Sequence, residues 1–433
     1  MELKSWLASA NDPDIDFPLD NLPYGVFDSG NVDHIGVAIG DRILDLHDCA
    51  AHGLFEGLPD AIVLACSAPL LNPLIALGSA SWSALRQRLK SLLDADQADR
   101  ETQRRITPLL VPMREARMRL PAAIGDYTDF YTSVYHATRV GEMFRPTSPL
   151  LPNYKYIPVG YHGRASSIVV NGTVIHRPRG QIKPKDGEPV FGLTQSLDYE
   201  LEVGFFVGPG NPLGQPIPIV EAEDHIFGLC LVNDWSARDI QSWEYQPLGP
   251  FLAKSFATTI SPWVVPLEAL APYRVSAATH RDGDPAPLAY LESPSPERGG
   301  IDLTLEVHLQ SSQMRKAGMA PQLLARSNLR HLYWTLAQMI THHTSNGCNL
   351  RPADLLATGT VSGPEPGSEG CLLELQRNPD PIRLPTGELR RFLEDGDQVT
   401  LRGYCHQPGL PRIGFGECSG IIAGEASGQH VLG

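Results

Sequence analysis

Hydrophobic and polar positions alternate most clearly over residues 196–206, Ser-Leu-Asp-Tyr-Glu-Leu-Glu-Val-Gly-Phe-Phe. As a β-strand this stretch puts Leu197, Tyr199, Leu201, Val203 and Phe205 on one face and Asp198, Glu200 and Glu202 on the other. Acids two apart on a strand face sit roughly 7 Å from each other and repel by about 2 kcal/mol at an effective dielectric of about 20. The stretch therefore predicts either a solvated strand edge or a bound cation. A second run, Ile226 to Asp234, is apolar over the length of a buried strand and ends in a carboxylate. Acids at the ends of such strands are held at clefts, where chemistry is done. With Asp126-Tyr-Thr-Asp-Phe-Tyr131 and the following His136, the chain offers Asp129, Glu200, Glu202 and Asp234. This all-oxygen set suits a hard cation, calcium (Ca2+), magnesium (Mg2+) or manganese (Mn2+), where zinc would want histidine or thiolate.

Elsewhere the pattern predicts strands joined by turns. Ile35 to Leu46 reads as two short strands around a Gly-Asp turn, and Trp82 to Leu93 as a helix with Leu85, Leu89 and Leu92 on one face. These belong to a β-rich accessory unit, residues 1–118, that carries no catalytic cluster. From 119 to 433 the motifs lie on strands and loops. Ala271 to Gly300 is a surface excursion, and a helix is expected from a Ser327 cap through Leu329, Leu332, Leu336 and Ile340 to Asn346-Gly347. In Cys371-Leu-Leu-Glu-Leu375, alternation in a Leu-Glu-Leu strand would give Glu374 an exposed position as well as it would a role in a site.

Composition narrows the function classes. The chain has 433 residues, 42% of them hydrophobic, with 40 Gly and 38 Pro, and 35 basic against 49 acidic residues give a formal net charge of −14. Two domains are expected at this length. With no basic cluster, nucleic acid and anionic membranes are poor partners. No opening signal segment and no span of about 18 apolar residues is found, so a cytoplasmic protein is expected. The seven cysteines are scattered and read as reduced thiols. No Gly-x-Gly-x-x-Gly at a strand-to-helix turn supports a dinucleotide site.

Six segments together carry a resemblance: Asp126 to Tyr131, Tyr161-His-Gly-Arg-Ala-Ser-Ser167, Asp198 to Glu202, Asn233-Asp-Trp-Ser-Ala-Arg-Asp239, Pro247-Leu-Gly-Pro-Phe251 and Asn346-Gly-Cys-Asn-Leu-Arg351. In this order they resemble the fumarylacetoacetate hydrolase family. Asn21-Leu-Pro-Tyr-Gly-Val26 extends the likeness into the N-terminal unit, which the wider superfamily of acylpyruvate hydrolases, hydratases and decarboxylases lacks.

The resemblance implies a mainly β protein with some helix, a C-terminal mixed β-sandwich roll preceded by a small SH3-like barrel, and a homodimer. It implies metal-dependent hydrolysis of a carbon–carbon bond in 4-fumarylacetoacetate, a dicarboxylate diketone, to fumarate and acetoacetate, the last step of tyrosine and phenylalanine breakdown. Its metal ligands fall on Asp129, Glu200, Glu202 and Asp234, and a second cation, Mg2+, falls beside Asp234, Lys254 and Thr258. The catalytic histidine falls on His136 and its orienting acid on Glu374, with Arg238, Gln241 and Lys254 stabilising the oxyanion. Substrate contacts fall on Tyr131, Arg145, Tyr161, Arg238, Gln241, Tyr245 and Thr360. One departure is Ala257, where the family usually has glycine; a positive φ there would strain the second-cation site.

Overall fold

The computed structural model describes residues 4–30, 32–278 and 283–424. Tyr24–Asp28, Asp33–Ile39 and Arg42–Asp45 form an antiparallel meander, flanked by Leu110–Pro112 and Arg117–Arg119. Five α-helices lie between its third and fourth strands. The longest, Ser79–Leu93, buries Leu85, Leu89 and Leu92 as its spacing predicts. What the structure carries of the expected small barrel is this five-stranded antiparallel sheet and the helices sharing its core.

From Tyr127 onward two sheets dominate. The larger runs Gly160–His162, Tyr127–Phe130, Leu355–Ala357, Leu201–Val207, Ile226–Asp234, Thr258–Ile260, Ile168–Val170, with Val265–Pro266 added beside Ile226–Asp234. The smaller runs Gln322–Asn328, Thr304–Gln310, Gln398–Cys405, Ile413–Ala423, Val174–His176. Both are mixed, since Leu355–Ala357 pairs parallel with Tyr127–Phe130, and Ile413–Ala423 with Val174–His176. Leu201, Val203, Phe205, Leu229 and Leu231 interlock with Leu305, Val307, Leu401 and Phe415 between the two sheets. The opposite face of the larger sheet, with Phe206, Cys230, Val232, Ile260 and Leu355, shares a core with the N-terminal unit. Covered on both faces, Leu201–Val207 and Ile226–Asp234 are buried throughout, which accounts for the continuous apolar run in the second.

Three expectations are corrected. The stretch 196–206 is not one strand but Leu197–Asp198 and Leu201–Val207, because the Glu200 N–H turns to the Asn233 side chain (3.2 Å) instead of the ladder. The helix expected from Ser327 begins later. Ser327 lies in the strand Gln322–Asn328, whose backbone pairs with Thr304–Gln310, and the helix Leu336–Thr344 starts at a Thr335–Gln338 capping box. Cys371–Leu375 is no strand: Leu372–Leu375 is a short helix with Glu374 buried. The excursion over Ala271–Gly300 lies partly outside the described residues, as does the opening Met1–Leu3; its described part includes two short 3-10 turns, Ala289–Leu291 and Pro296–Arg298.

Gly359 joins Leu355–Ala357 to Thr360 with φ +75°, and a Cβ there would stand 2.1 Å from the Phe130 carbonyl oxygen. Gly359→Ala is expected to cost about 3 kcal/mol of stability, through backbone strain and displacement of the strand beside it, read by urea denaturation. A loss below about 0.5 kcal/mol would show that the close approach can relax.

Candidate active site

Strand register brings the acids together. Gly204 pairs with Ala357, Ala357 with Asp129, and Glu202 with Val232, two residues before Asp234. Asp129, Glu202 and Asp234 alternate in step with Tyr127, Phe206 and Val232, so they lie on the sheet face that the N-terminal unit covers, beyond the edge of its core. Glu200, just outside its strand, turns in beside them. One oxygen from each of Asp129, Glu200, Glu202 and Asp234 lies within 4.8 Å of all the others, and all four side chains are buried. Two carboxylates about 4 Å apart repel by about 4 kcal/mol at an effective dielectric of about 20. Burial, and then the charge of neighbouring acids, raises Asp129 and Glu202 well above the usual carboxylate range. Asp129 Oδ1 and both Glu202 oxygens are buried with no hydrogen-bond partner. Orphaned hard oxygens converging on one point fit a divalent cation of the Ca2+, Mg2+ or Mn2+ kind.

Two side chains of this chain offset part of the charge. Lys254 Nζ donates to Glu200 Oε2 and to Asp234 Oδ2, the latter at 2.6 Å. Arg238 Nη2 stands 2.8 Å from Glu200 Oε1. Against the burial that would raise it, Lys254 and Arg238 hold the Glu200 carboxyl down at about 2. Arg238 is itself held: Nε donates to Asp198 Oδ2 at 2.9 Å and Nη1 to Gln241 Oε1 at 3.0 Å. Asp198 also accepts from the Leu372 and Leu373 amides (2.8 and 3.0 Å), so it is the partner of Arg238 and not a fifth acid of the cluster. Strand periodicity groups it with Glu200 and Glu202; the break between Leu197–Asp198 and Leu201–Val207 separates them.

His136 sits on the helix Val134–Phe144, capped by Ser133. Its Nδ1 meets Glu374 Oε1 at 2.7 Å, so Nδ1–H donates to the carboxylate and Nε2 is left as the free nitrogen. Glu374 Oε1 also accepts from Ser362 Oγ (2.6 Å) and Oε2 from Arg139 Nη1 (3.0 Å). Although burial opposes it, the His136 contact and those of Ser362 and Arg139 bring Glu374 to about 2. Cys371 Sγ lies 3.6 Å from the same carboxylate, and burial raises that thiol. Arg139 and Ser362 were absent from the expected set. Arg139 was within reach of inference, since it follows His136 by three residues and shares its helix face.

A cavity of about 450 Å³ joins the two halves, with Asp129, Glu200, Glu202, Arg238, Lys254 and His136 in its wall. Tyr131, Arg145, Tyr161, Gln241, Tyr245 and Thr360 line it too, so every expected substrate contact opens on one space. The Tyr161 hydroxyl donates to Asp234 Oδ2 at 2.9 Å, and Arg145 Nε is buried with no partner. Thr258 and Asp234 do not line the cavity; the Thr258 hydroxyl donates to Asp234 Oδ1 at 3.1 Å. A protonated lysine has no lone pair for a metal, so at any second cation there Lys254 could give only its carbonyl oxygen. Ala257 is not strained: the non-glycine residues with positive φ among those described are Leu22 and Ala353.

Fold and site thus define a two-part β protein with an acid-lined, histidine-bearing cleft. Residues 127–421 match the fumarylacetoacetate (FAA) hydrolase C-terminal family and residues 20–121 the fumarylacetoacetase N-terminal family. The chain is 52% identical over 421 residues to a fumarylacetoacetase of Bos taurus, covering 94% of this chain and 96% of that one. It is 48% identical over 427 residues to a fumarylacetoacetase of Arabidopsis thaliana, covering 97% and 98%. The solved fumarylacetoacetate hydrolase of psychrophilic Exiguobacterium antarcticum shares the fold, with a TM-score of 0.50 at 16% identity over 93% of this chain and 100% of that one. The chain belongs to the fumarylacetoacetate hydrolase family.

Two outcomes follow from the charge balance. Glu202→Gln removes a carboxyl whose ionised form burial and the neighbouring acids disfavour, so it should raise the melting temperature of chelator-treated protein by about 2 °C or more while weakening Ca2+ binding at least about tenfold. A melting temperature that does not rise would mean the acids are not held in mutual repulsion. Arg139→Ala should lower kcat about tenfold with KM within about twofold, because it loosens Glu374 without touching the cavity; steady-state kinetics reads the split.

Proposed function

We propose that the chain hydrolyses the carbon–carbon bond of 4-fumarylacetoacetate to fumarate and acetoacetate, the last step of tyrosine and phenylalanine breakdown. The observation that carries this reading is the fixed His136–Glu374 pair at 2.7 Å, with His136 opening on the same cavity as Asp129, Glu200 and Glu202, three of the four acids that fit a cation, in a chain half identical to fumarylacetoacetases over nearly its whole length.

Asp129, Glu200, Glu202 and Asp234 would hold the cation, and Asp234, Thr258 and the Lys254 carbonyl a second, Mg2+. When bound, a Ca2+ or Mg2+ ion supplies Lewis acidity that polarises the substrate's paired carbonyl oxygens and stabilises the enolate. Arg145, with its unpartnered Nε, meets a terminal carboxylate, and the Tyr131 and Tyr245 hydroxyls add hydrogen bonds. His136 Nε2 takes a proton from water as the water oxygen adds to the carbonyl carbon next to the fumaryl double bond. Glu374 holds the Nδ1–H tautomer and stabilises the imidazolium. The oxyanion is met by Gln241, whose amide nitrogen is free because its oxygen is engaged by Arg238, and by Lys254 and Arg238 at the cavity wall. Collapse of the tetrahedral adduct breaks the carbon–carbon bond, leaving fumarate and the acetoacetate enolate. The proton on His136 then returns to the enolate carbon.

We read the protein as a cytoplasmic homodimer whose N-terminal unit, residues 1–118, is an accessory to the catalytic part, 119–433. The seven free thiols agree with a reducing compartment. Among the described residues no helix is long and apolar enough to cross a membrane. The exposed Phe191, Leu248 and Phe251 offer apolar surface for self-association.

Purified protein with Ca2+ or Mg2+ should release fumarate from fumarylacetoacetate far faster than it cleaves acylpyruvate or oxaloacetate. His136→Ala should lower turnover at least about a hundredfold with cation binding by calorimetry unchanged. Preference for a smaller oxo acid would overturn the substrate, and loss of cation binding in His136→Ala would overturn the role of the histidine.

A further inference from the structure

The N-terminal unit contains a second cluster of ligating groups that the proposed reaction does not use. The hairpin Asp33–Ile39 to Arg42–Asp45 pairs Gly36 with Asp45, and carried two residues further the same register sets His34 opposite His47. The chain turns there into the helix Leu46–Ala51, for which Asp45 is the N-cap, its Oδ1 accepting from the Asp48 amide at 3.1 Å. That bond fixes the Asp45 carboxylate and leaves Oδ2 for His34 Nδ1 at 2.7 Å. His47 Nδ1 stands 3.2 Å from Asp48 Oδ1. One donor atom from each of His34, Asp45, His47 and Asp48 lies within 4.8 Å of all the others.

Charge makes the cluster unusual. Among the described residues, the ion pairs that Asp45 and Asp48 make are with these histidines and not with lysine or arginine. The two imidazoles are stacked, with centroids 4.1 Å apart and planes 21° from parallel. A divalent cation would balance both carboxylates at once and can use the imidazole nitrogens as neutral ligands. Two nitrogens and two carboxylate oxygens are a donor set for the Zn2+ class rather than for Ca2+ or Mg2+. Ligand atoms of a tetrahedral zinc site with bonds near 2.0 Å are roughly 3.3 Å apart and each imidazole donates in its ring plane, so the cluster must contract from within 4.8 Å and one ring must turn out of the stack. His47 and Asp48 are the side chains free to do so, at 38% and 43% exposure, while His34 and Asp45, at 13% and 6%, are already held.

We propose that His34, Asp45, His47 and Asp48 form a separate metal centre, selective for a transition cation of the Zn2+ class, at the junction of hairpin and helix in the N-terminal unit. It shares no residue with the oxygen-lined site and does not depend on the reaction assigned there. The difference in donor chemistry makes the two separable by experiment.

Protein saturated with Ca2+ is titrated with Co2+ as a spectroscopic stand-in for Zn2+. The wild type should bind Co2+ with the intense visible absorption of a tetrahedral nitrogen–oxygen site. His47→Ala should weaken that binding at least about tenfold and leave the Ca2+-supported hydrolase activity unchanged. Crystals soaked in Zn2+ should show anomalous density at the zinc edge between His34 and His47. Co2+ binding undiminished in His47→Ala, or zinc density found only elsewhere, would overturn the proposal, and the cluster would then be a capped hairpin with ordinary His–Asp pairs. His47 is the more exposed of the two histidines, so its variant should fold; a circular dichroism spectrum like the wild type's confirms that the comparison is valid.

Discussion

The structure depends on a charge imbalance that it buries. Four carboxylates converge at one point beneath a sheet, and Lys254 and Arg238 are the cations that face them. Neither cation is spare. Lys254 spans Glu200 and Asp234, and Arg238 spans Glu200, Asp198 and Gln241. Glu200, touched by both, stays ionised readily, while Asp129 and Glu202, touched by neither, carry the cost. The rigidity of strands packed on both faces, together with the Lys254 and Arg238 ion pairs, keeps such a cluster from spreading apart.

The same rigidity unites parts of the chain far apart in number. The helix bearing His136 and the short helix bearing Glu374 meet because Ser362 and Arg139 both grip the acid between them. Asp198 does the corresponding work on the other wall, tying Arg238 to the first amides of that short helix. One short segment, Leu372–Leu375, thus braces both the base and the cation that orders Gln241. Movement there would misalign the two sides of the cleft together.

Much of this was legible in the amino-acid order, and the failures have physical causes. The acids at Asp129, Glu200, Glu202 and Asp234 could be picked out because charge at the end of an apolar strand is costly. The hairpin near Gly40 and the helix to Leu93 followed from spacing alone. The break at Tyr199–Glu200 was invisible, since it arises from the Asn233 side chain on a neighbouring strand. Ser327 misled because Leu329, Leu332, Leu336 and Ile340 after it keep a helical spacing, while its own backbone is claimed by pairing with Leu305. Glu374 sat in an alternating pattern that four residues are too few to tell from a single helical turn.

The N-terminal core is roofed by residues that come much later in the chain, among them Phe206, Cys230, Ile260 and Leu355. On a ribosome the first unit would emerge with that side bare, and it would stay greasy and adhesive until the central strands arrived to seal it. Excising the catalytic half would strip the same surface from the other direction. For this chain the two family segments are therefore partners in solubility as well as neighbours in sequence, and neither is a module that could be borrowed alone.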